Sequence, residues 1–155
     1  MMRRKKTRMI KFYDTCSLLK KANTLFDDNE LFAISSISLE ELENIKTSTS
    51  RDSEVKYAAR AVLRELDAHV GLYSVIIFTN SMLNPIIEKD LPVTNDTKIL
   101  ACAVSYPQEL TFITNDFALK ALARLFFTHV ESIPDDIDDE YTGYKEIILN
   151  DEEMA

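Results

Sequence analysis

The sequence predicts an α/β fold, a sandwich with helices on both faces of a largely parallel central sheet. Three observations carry that expectation. Short apolar runs of strand length alternate with segments of helical period, the pattern of βαβ units joined by right-handed crossovers. Residues 52–70 hold an unbroken amphipathic period, with Val55, Ala59, Val62, Leu66 and Val70 on one stripe. No internal repeat and no interior low-complexity linker divides the body of the chain.

Each element has its own signal. Met9–Tyr13 reads as a strand, with Ile10 and Phe12 apolar around Lys11. A helix over Thr15–Phe26 follows, carrying Leu18, Leu19, Ala22, Leu25 and Phe26, and then a short strand over Leu31–Ser35. Ser38 with Glu41 three residues on has the form of a capping box, opening a helix to Lys46. The long helix spans Asp52–Val70 and Gly71 closes it. Tyr73–Phe78 is apolar except for Ser74, as in a buried strand, and residues 81–94, with two prolines, read as irregular. Asp96–Tyr106 is helical until Pro107 stops it; Leu110–Thr114 is a strand and Phe117–Phe127 a helix. His129 and Val130 add a last short strand.

Composition narrows the function classes. At 155 residues, with 46% apolar and 28% charged, the chain suits one compact domain that needs no disulfide or structural metal. The only glycines, Gly71 and Gly143, make no phosphate-cradling loop, so Walker-type and dinucleotide sites are excluded. His69, His129, Cys16 and Cys102 make neither a zinc motif nor a disulfide framework, and such cysteine usage suits a reducing, cytoplasmic setting. No run approaches the roughly 20 apolar residues of a membrane span, and no signal-peptide core follows the basic start.

The formal charge of −8 is unevenly placed. Residues 131–155 hold ten acids against Lys145, a net of −9, so the preceding residues carry +1. The division expected is a folded domain over 1–130 and an acidic tail or linker over 131–155. Arg3, Arg4, Lys5, Lys6 and Arg8 form a basic arm. A near-neutral body can still present a local basic face to a polyanion, while solvated termini are the simpler explanation of both charge runs.

Four acids fall where ligands bind in open parallel sheets, beyond the carboxyl ends of strands. Asp14 follows the first strand, Glu41 sits in the first turn after the second, Asp96 opens a later helix, and Asp116 follows the strand ending at Thr114. Carboxylates gathered there repel unless a cation joins them or some are protonated. Hard divalent cations take oxygen ligands. Taken singly, each Asp is also a good helix N-cap, and Glu41 a capping-box partner. Only the joint placement favours a site.

At these residues the chain resembles the PIN-domain ribonucleases, most of all the N-terminal PIN domain of PhoH-like proteins. The matching segments are Met9–Leu19, Ser38–Leu42, Asn95–Ala101 and Thr114-Asn115-Asp116, in order over about 125 residues. Tyr141–Glu146 is similar to the segment that joins this domain to an ATPase in PhoH-like proteins. The resemblance implies a three-layer, Rossmann-like sandwich and cleavage of single-stranded RNA with magnesium or manganese. By motif, the catalytic and metal-holding acids are Asp14, Glu41, Asp96 and Asp116, with Thr114 and Asn115 in support. Glu41 is preferred to Glu40 because the family's acid immediately precedes the leucine, here Leu42. Cys16 departs from the family, which more often has Asn or Ser there.

The residue types suit metal-assisted hydrolysis, since neither histidine lies in an acidic motif to activate a nucleophile. RNA needs cations near so acidic a site. Lys56, Arg60 and Arg64 recur every four residues on the long helix, Lys98 follows Asp96, and Lys46 and Arg51 flank the loop before that helix. On its own the stripe reads more simply as the solvated face of an amphipathic helix. Tyr57 and Tyr106 are the candidates for stacking on bases, and most of the eight phenylalanines are expected in the core. Alternative readings are a catalytically weak RNA- or protein-binding module of a larger PhoH-like ATPase, and the ribonuclease toxin of a toxin–antitoxin pair. A homo-oligomer and a downstream ATPase domain are left open as partners.

Overall fold

In a computed structural model, described over residues 9–134, the chain forms a five-stranded, all-parallel sheet in the order β3-β2-β1-β4-β5. The basic arm, residues 135–155 and the Tyr141–Glu146 segment lie outside the described residues. The strands are β1 (Ile10–Tyr13), β2 (Phe32–Ser35), β3 (Tyr73–Ile76), β4 (Leu110–Ile113) and β5 (Val130–Glu131). Between them run α1 (Thr15–Lys21), α2 (Ser36–Thr47), α3 (Ser53–Ala68), α4 (Asn84–Glu88), α5 (Asn95–Val104) and α6 (Phe117–Ala123).

Alternation along the strands builds the three layers, because successive side chains point to opposite sheet faces. Phe12, Ala33, Leu110 and Phe112 pack with Ile86, Ile99, Leu100, Cys102, Leu119 and Ala123 from α4, α5 and α6. Tyr13, Phe32, Ile34 and Ile113 face the other way, onto Leu18, Leu42, Ile45, Ala59, Val62 and Leu66 from α1, α2 and α3. Phe12 and Phe112, paired in register across β1 and β4, stack at 5.6 Å.

β1 is central. The chain steps from β1 to β2 to β3 on one side, then crosses back to lay β4 on the other side of β1. Strand order therefore reverses between β1 and β4, and a cleft opens at their carboxyl ends. Asp14 and Asp116 leave the sheet at that place.

Several elements differ from expectation for identifiable reasons. The first helix stops at Lys21 rather than Phe26: Ala22 takes a positive φ of 47°, and a 3-10 turn over Ala22–Thr24 still tucks Leu25 into the core. The cap of α2 is Ser35, not Ser38. Ser35 ends β2 and its hydroxyl accepts from Ile37 N at 2.9 Å, so the helix begins at once and Ser38 is buried inside it. β3 is a half-buried edge strand rather than a buried one, since it pairs with β2 alone. Residues 81–94 contain order: a 3-10 turn over Asn80–Leu83 and then α4, with Pro85 in the first turn where its missing N–H is harmless. The helix after Asp116 ends at Ala123, four residues short of Phe127, and the last strand lies one residue later than expected.

Candidate active site

The site is assembled from the loops and helix starts that follow β1, β2 and β4, together with the start of α5. Asp14 comes first. It is 2% exposed, and its Oδ1 accepts from Ser17 N at 2.9 Å, capping α1. Its Oδ2 accepts from Thr114 Oγ1 at 2.6 Å, a charge-assisted contact across the sheet from β1 to β4. The same Thr114 oxygen accepts from Asp116 N at 3.1 Å. One buried hydroxyl thus sets the positions of two of the four acids. Asp116 Oδ1 caps α6 through Ala118 N and Leu119 N, at 2.9 and 3.1 Å.

Glu41 lies in the second turn of α2, held from two sides. Thr15 Oγ1 donates to its Oε1, and Asn95 Nδ2 donates to its Oε2 at 3.0 Å. Thr15 Oγ1 also stands 2.9 Å from Ser38 Oγ. The serine expected to cap the helix therefore helps to place Thr15 instead. Asp96 is in the first turn of α5 but does not cap it; Thr94 and Thr97 form the capping box there.

Asp14, Glu41, Asp96 and Asp116 all line one cleft of about 480 Å³, with Thr15, Cys16, Asn44, Asn95 and Arg51 among the other walls. Their crowding affects their protonation. Burial raises the pKa of Asp14 above the ordinary carboxylate value, against the pull of the Thr114 and Ser17 hydrogen bonds, and the Asp116 charge raises it further. Burial also raises Asp96, as do the charges of Asp116, Glu41 and Asp14. Cys16, exposed to the cleft, has its thiol pushed up to about 11 by desolvation and then by the same four carboxylates. Such a thiol is neutral at pH 7 and a poor nucleophile.

The remaining expected residues are spread more widely. Asn115 does not bond to the acids: its side chain clasps the backbone of Ile133, donating to Ile133 O and accepting from Ile133 N, both at 2.9 Å. With Ser132 Oγ donating to Thr114 O, this ties the segment after β5 to the Asp116 loop. Lys56, Arg60 and Arg64 lie along α3 and are not among the cleft's walls; the cation among those walls is Arg51. Lys98 is half-buried, its Nζ 5.6 Å from the centre of the Phe78 ring. Tyr57 is exposed on α3, whereas Tyr106 lines a different cavity with Met9 and Glu109, at the amino edge of the sheet. Sequence reasoning gave no role to Thr15 or Asn95. Thr15 carried one weak signal, its place directly after Asp14. Nothing local marks Asn95 as the partner of a glutamate 54 positions away.

Fold and cleft together define an α/β protein with an acid-lined site at the switch point of a parallel sheet. A family model described as the PIN domain matches residues 12–133, and the chain belongs to that family. PIN domains are as a class nucleases, hydrolases of the phosphodiester bond. The match ends at Ile133, the residue clasped by Asn115. Comparison with curated proteins finds no significant match. No helix among the described residues is long and apolar enough to cross a membrane.

Proposed function

We propose that this protein is a metal-dependent endoribonuclease that hydrolyses single-stranded RNA, with Asp14, Glu41, Asp96 and Asp116 holding magnesium or manganese. The observation that carries the reading is the meeting of four carboxylates, from four separate elements, around one open cleft. An all-oxygen donor set suits a hard divalent cation, and PIN domains typically use one. Among the described residues, no three acids, histidines or cysteines stand close enough to hold one ion between them. The four acids therefore fit hydrated ions, each held directly by one or two of these carboxylates, the mode magnesium favours.

When bound, a divalent ion supplies an acidified water and charge neutralisation at the scissile phosphate. The protein's own residues do the rest. Ser17 N and Thr114 fix the Asp14 carboxylate, and Thr15 and Asn95 fix Glu41, so both are oriented before substrate arrives. Arg51 offers a phosphate contact at the wall of an otherwise acidic cleft. Cys16 stays protonated and takes no covalent part. Attack by water leaves 5′-phosphate and 3′-hydroxyl ends.

The test is cleavage of an end-labelled single-stranded RNA in manganese, in magnesium and in EDTA. Cleavage in either metal and not in EDTA is expected; no cleavage in any condition overturns the reading. A second reading, a catalytically weak RNA-binding module, is favoured by the separation of the acids noted above, and it predicts RNA binding without cleavage. The PhoH-like setting, with a downstream ATPase and a cytoplasmic location, is part of the proposal. It rests on the Tyr141–Glu146 resemblance, and a Walker motif in the gene beyond codon 155 would support it. The toxin reading predicts growth arrest on expression.

A further inference from the structure

Seven of the eight phenylalanines are buried or half-buried. The exception is Phe117, which is 84% exposed, more than any other large apolar residue among those described. It is the residue directly after Asp116 and the first of α6. Adjacent Cα atoms are about 3.8 Å apart, so the backbone of Phe117 stands beside a cleft acid. Its ring is not among the cleft's walls and would act from the rim. α6 does not need it: the helix is anchored to the core through Leu119 and Ala123 and capped by Asp116. An exposed ring is a surface on which a nucleobase stacks without regard to sequence. Arg51 is the cation on the cleft wall, the charge a phosphate would meet there.

We propose that Phe117 is a base-stacking platform, holding a nucleotide that flanks the scissile phosphate while Arg51 engages the backbone. This rests on the reading of the cleft as an RNA site and adds how the strand is gripped. Of the two tyrosines expected to stack on bases, Tyr106 lies at the opposite edge of the sheet, while Tyr57 is exposed on α3 and is not among the cleft's walls.

Binding of a fluorescent single-stranded RNA is measured by anisotropy in EDTA, so that the readout does not depend on catalysis. The variants are Phe117→Ala, Phe117→Trp and Arg51→Ala, each against intact RNA and against an abasic strand of equal length. Phe117→Ala is expected to weaken binding to intact RNA roughly tenfold, to leave abasic binding unchanged, and to be rescued by Phe117→Trp. Arg51→Ala is expected to weaken both strands and to flatten the salt dependence. Melting of Phe117→Ala should match wild type, as the ring is not in the core. Equal affinity of wild type and Phe117→Ala for intact RNA overturns the proposal, as does an equal loss on the abasic strand. Wild type that binds RNA through Phe117 but does not cut it in manganese or magnesium leaves this inference standing and defeats the nuclease reading. Wild type that binds no RNA in EDTA defeats this inference, and cleavage in manganese or magnesium then decides the nuclease reading separately.

Discussion

Thr114→Val removes one hydroxyl and keeps the shape of the side chain. That hydroxyl is fully buried, donates to Asp14 Oδ2 at 2.6 Å and accepts from Asp116 N at 3.1 Å. A hydrogen bond to a charged acceptor contributes about 1.5–3 kcal/mol, and an orphaned buried donor adds to the loss. The expected destabilisation is about 3 kcal/mol, which lowers the melting temperature by roughly 10 °C in a domain this size. Thr114→Ser keeps the hydroxyl and loses one methyl, so it should lose about 1 kcal/mol.

The pH dependence separates this account from simple repacking. Burial raises the folded-state pKa of Asp14, with Asp116 adding to it, and the Thr114 bond opposes that rise. A carboxyl whose folded pKa is raised favours folding below its unfolded value, and that contribution is lost as pH rises through the folded pKa. Without the Thr114 donor the folded pKa climbs further. The deficit of Thr114→Val should therefore be largest at neutral pH and shrink as Asp14 takes up its proton at lower pH. Melting of wild type and both variants in EDTA, from pH 7.5 down to pH 4.5, is the assay. A Val variant no less stable than the Ser variant at neutral pH would refute the bridge.

Asp96→Asn should melt at or slightly above wild type in EDTA, because Asp96 caps no helix and its charge only adds to the crowding; with manganese at a hundredfold excess over Kd, wild type should gain about 2.7 kcal/mol and the variant little of it. Calorimetry with and without the ion decides, and an equal gain in the two would remove Asp96 from the metal site. Alkylation of Cys16 at pH 7.5 should run about a hundredfold slower than that of an ordinary thiol, since its pKa is pushed up to about 11; a normal rate would mean that the carboxylates do not act on it. Truncation after Pro134 keeps the Ser132 and Ile133 contacts and removes most of the acidic tail, so RNA binding should tighten at low salt and be unchanged at high salt. Identical low-salt affinities would show that the tail does not compete.

The sequence made some of this architecture visible and hid the rest for physical reasons. β1, β2 and β4 were legible because apolar runs bounded by polar or helix-starting residues leave little choice. Their order was not. Nothing local to Leu110–Thr114 says that it docks on the far side of β1, yet that choice creates the cleft. Ser35 and Ser38 both carry capping chemistry, and the strand that ends at Ser35 decides between them. Thr15 and Asn95 escaped because their partner Glu41 lies far away in sequence, and only tertiary packing joins them.

Helix capping and a ligand site looked like rival explanations for the aspartates, and the structure removes the rivalry for two of them. Asp14 caps α1 through one oxygen and meets Thr114 through the other; Asp116 caps α6 through Oδ1 alone. Each carboxylate oxygen has two lone pairs, so capping leaves acceptor capacity toward the cleft. Asp96 is different. Thr94 and Thr97 do the capping at α5, and among the described residues no hydrogen bond engages the Asp96 carboxylate. Its place in the first turn gains from the helix dipole by less than about 1 kcal/mol. Against that small gain stand the charges of Asp14, Glu41 and Asp116, all of which raise its pKa. The fold would lose little if residue 96 were neutral. An acid from which the fold gains so little, on a cleft it shares with three others, is the residue the proposed cation site would use, and that makes Asp96 the sharpest single test of the proposal.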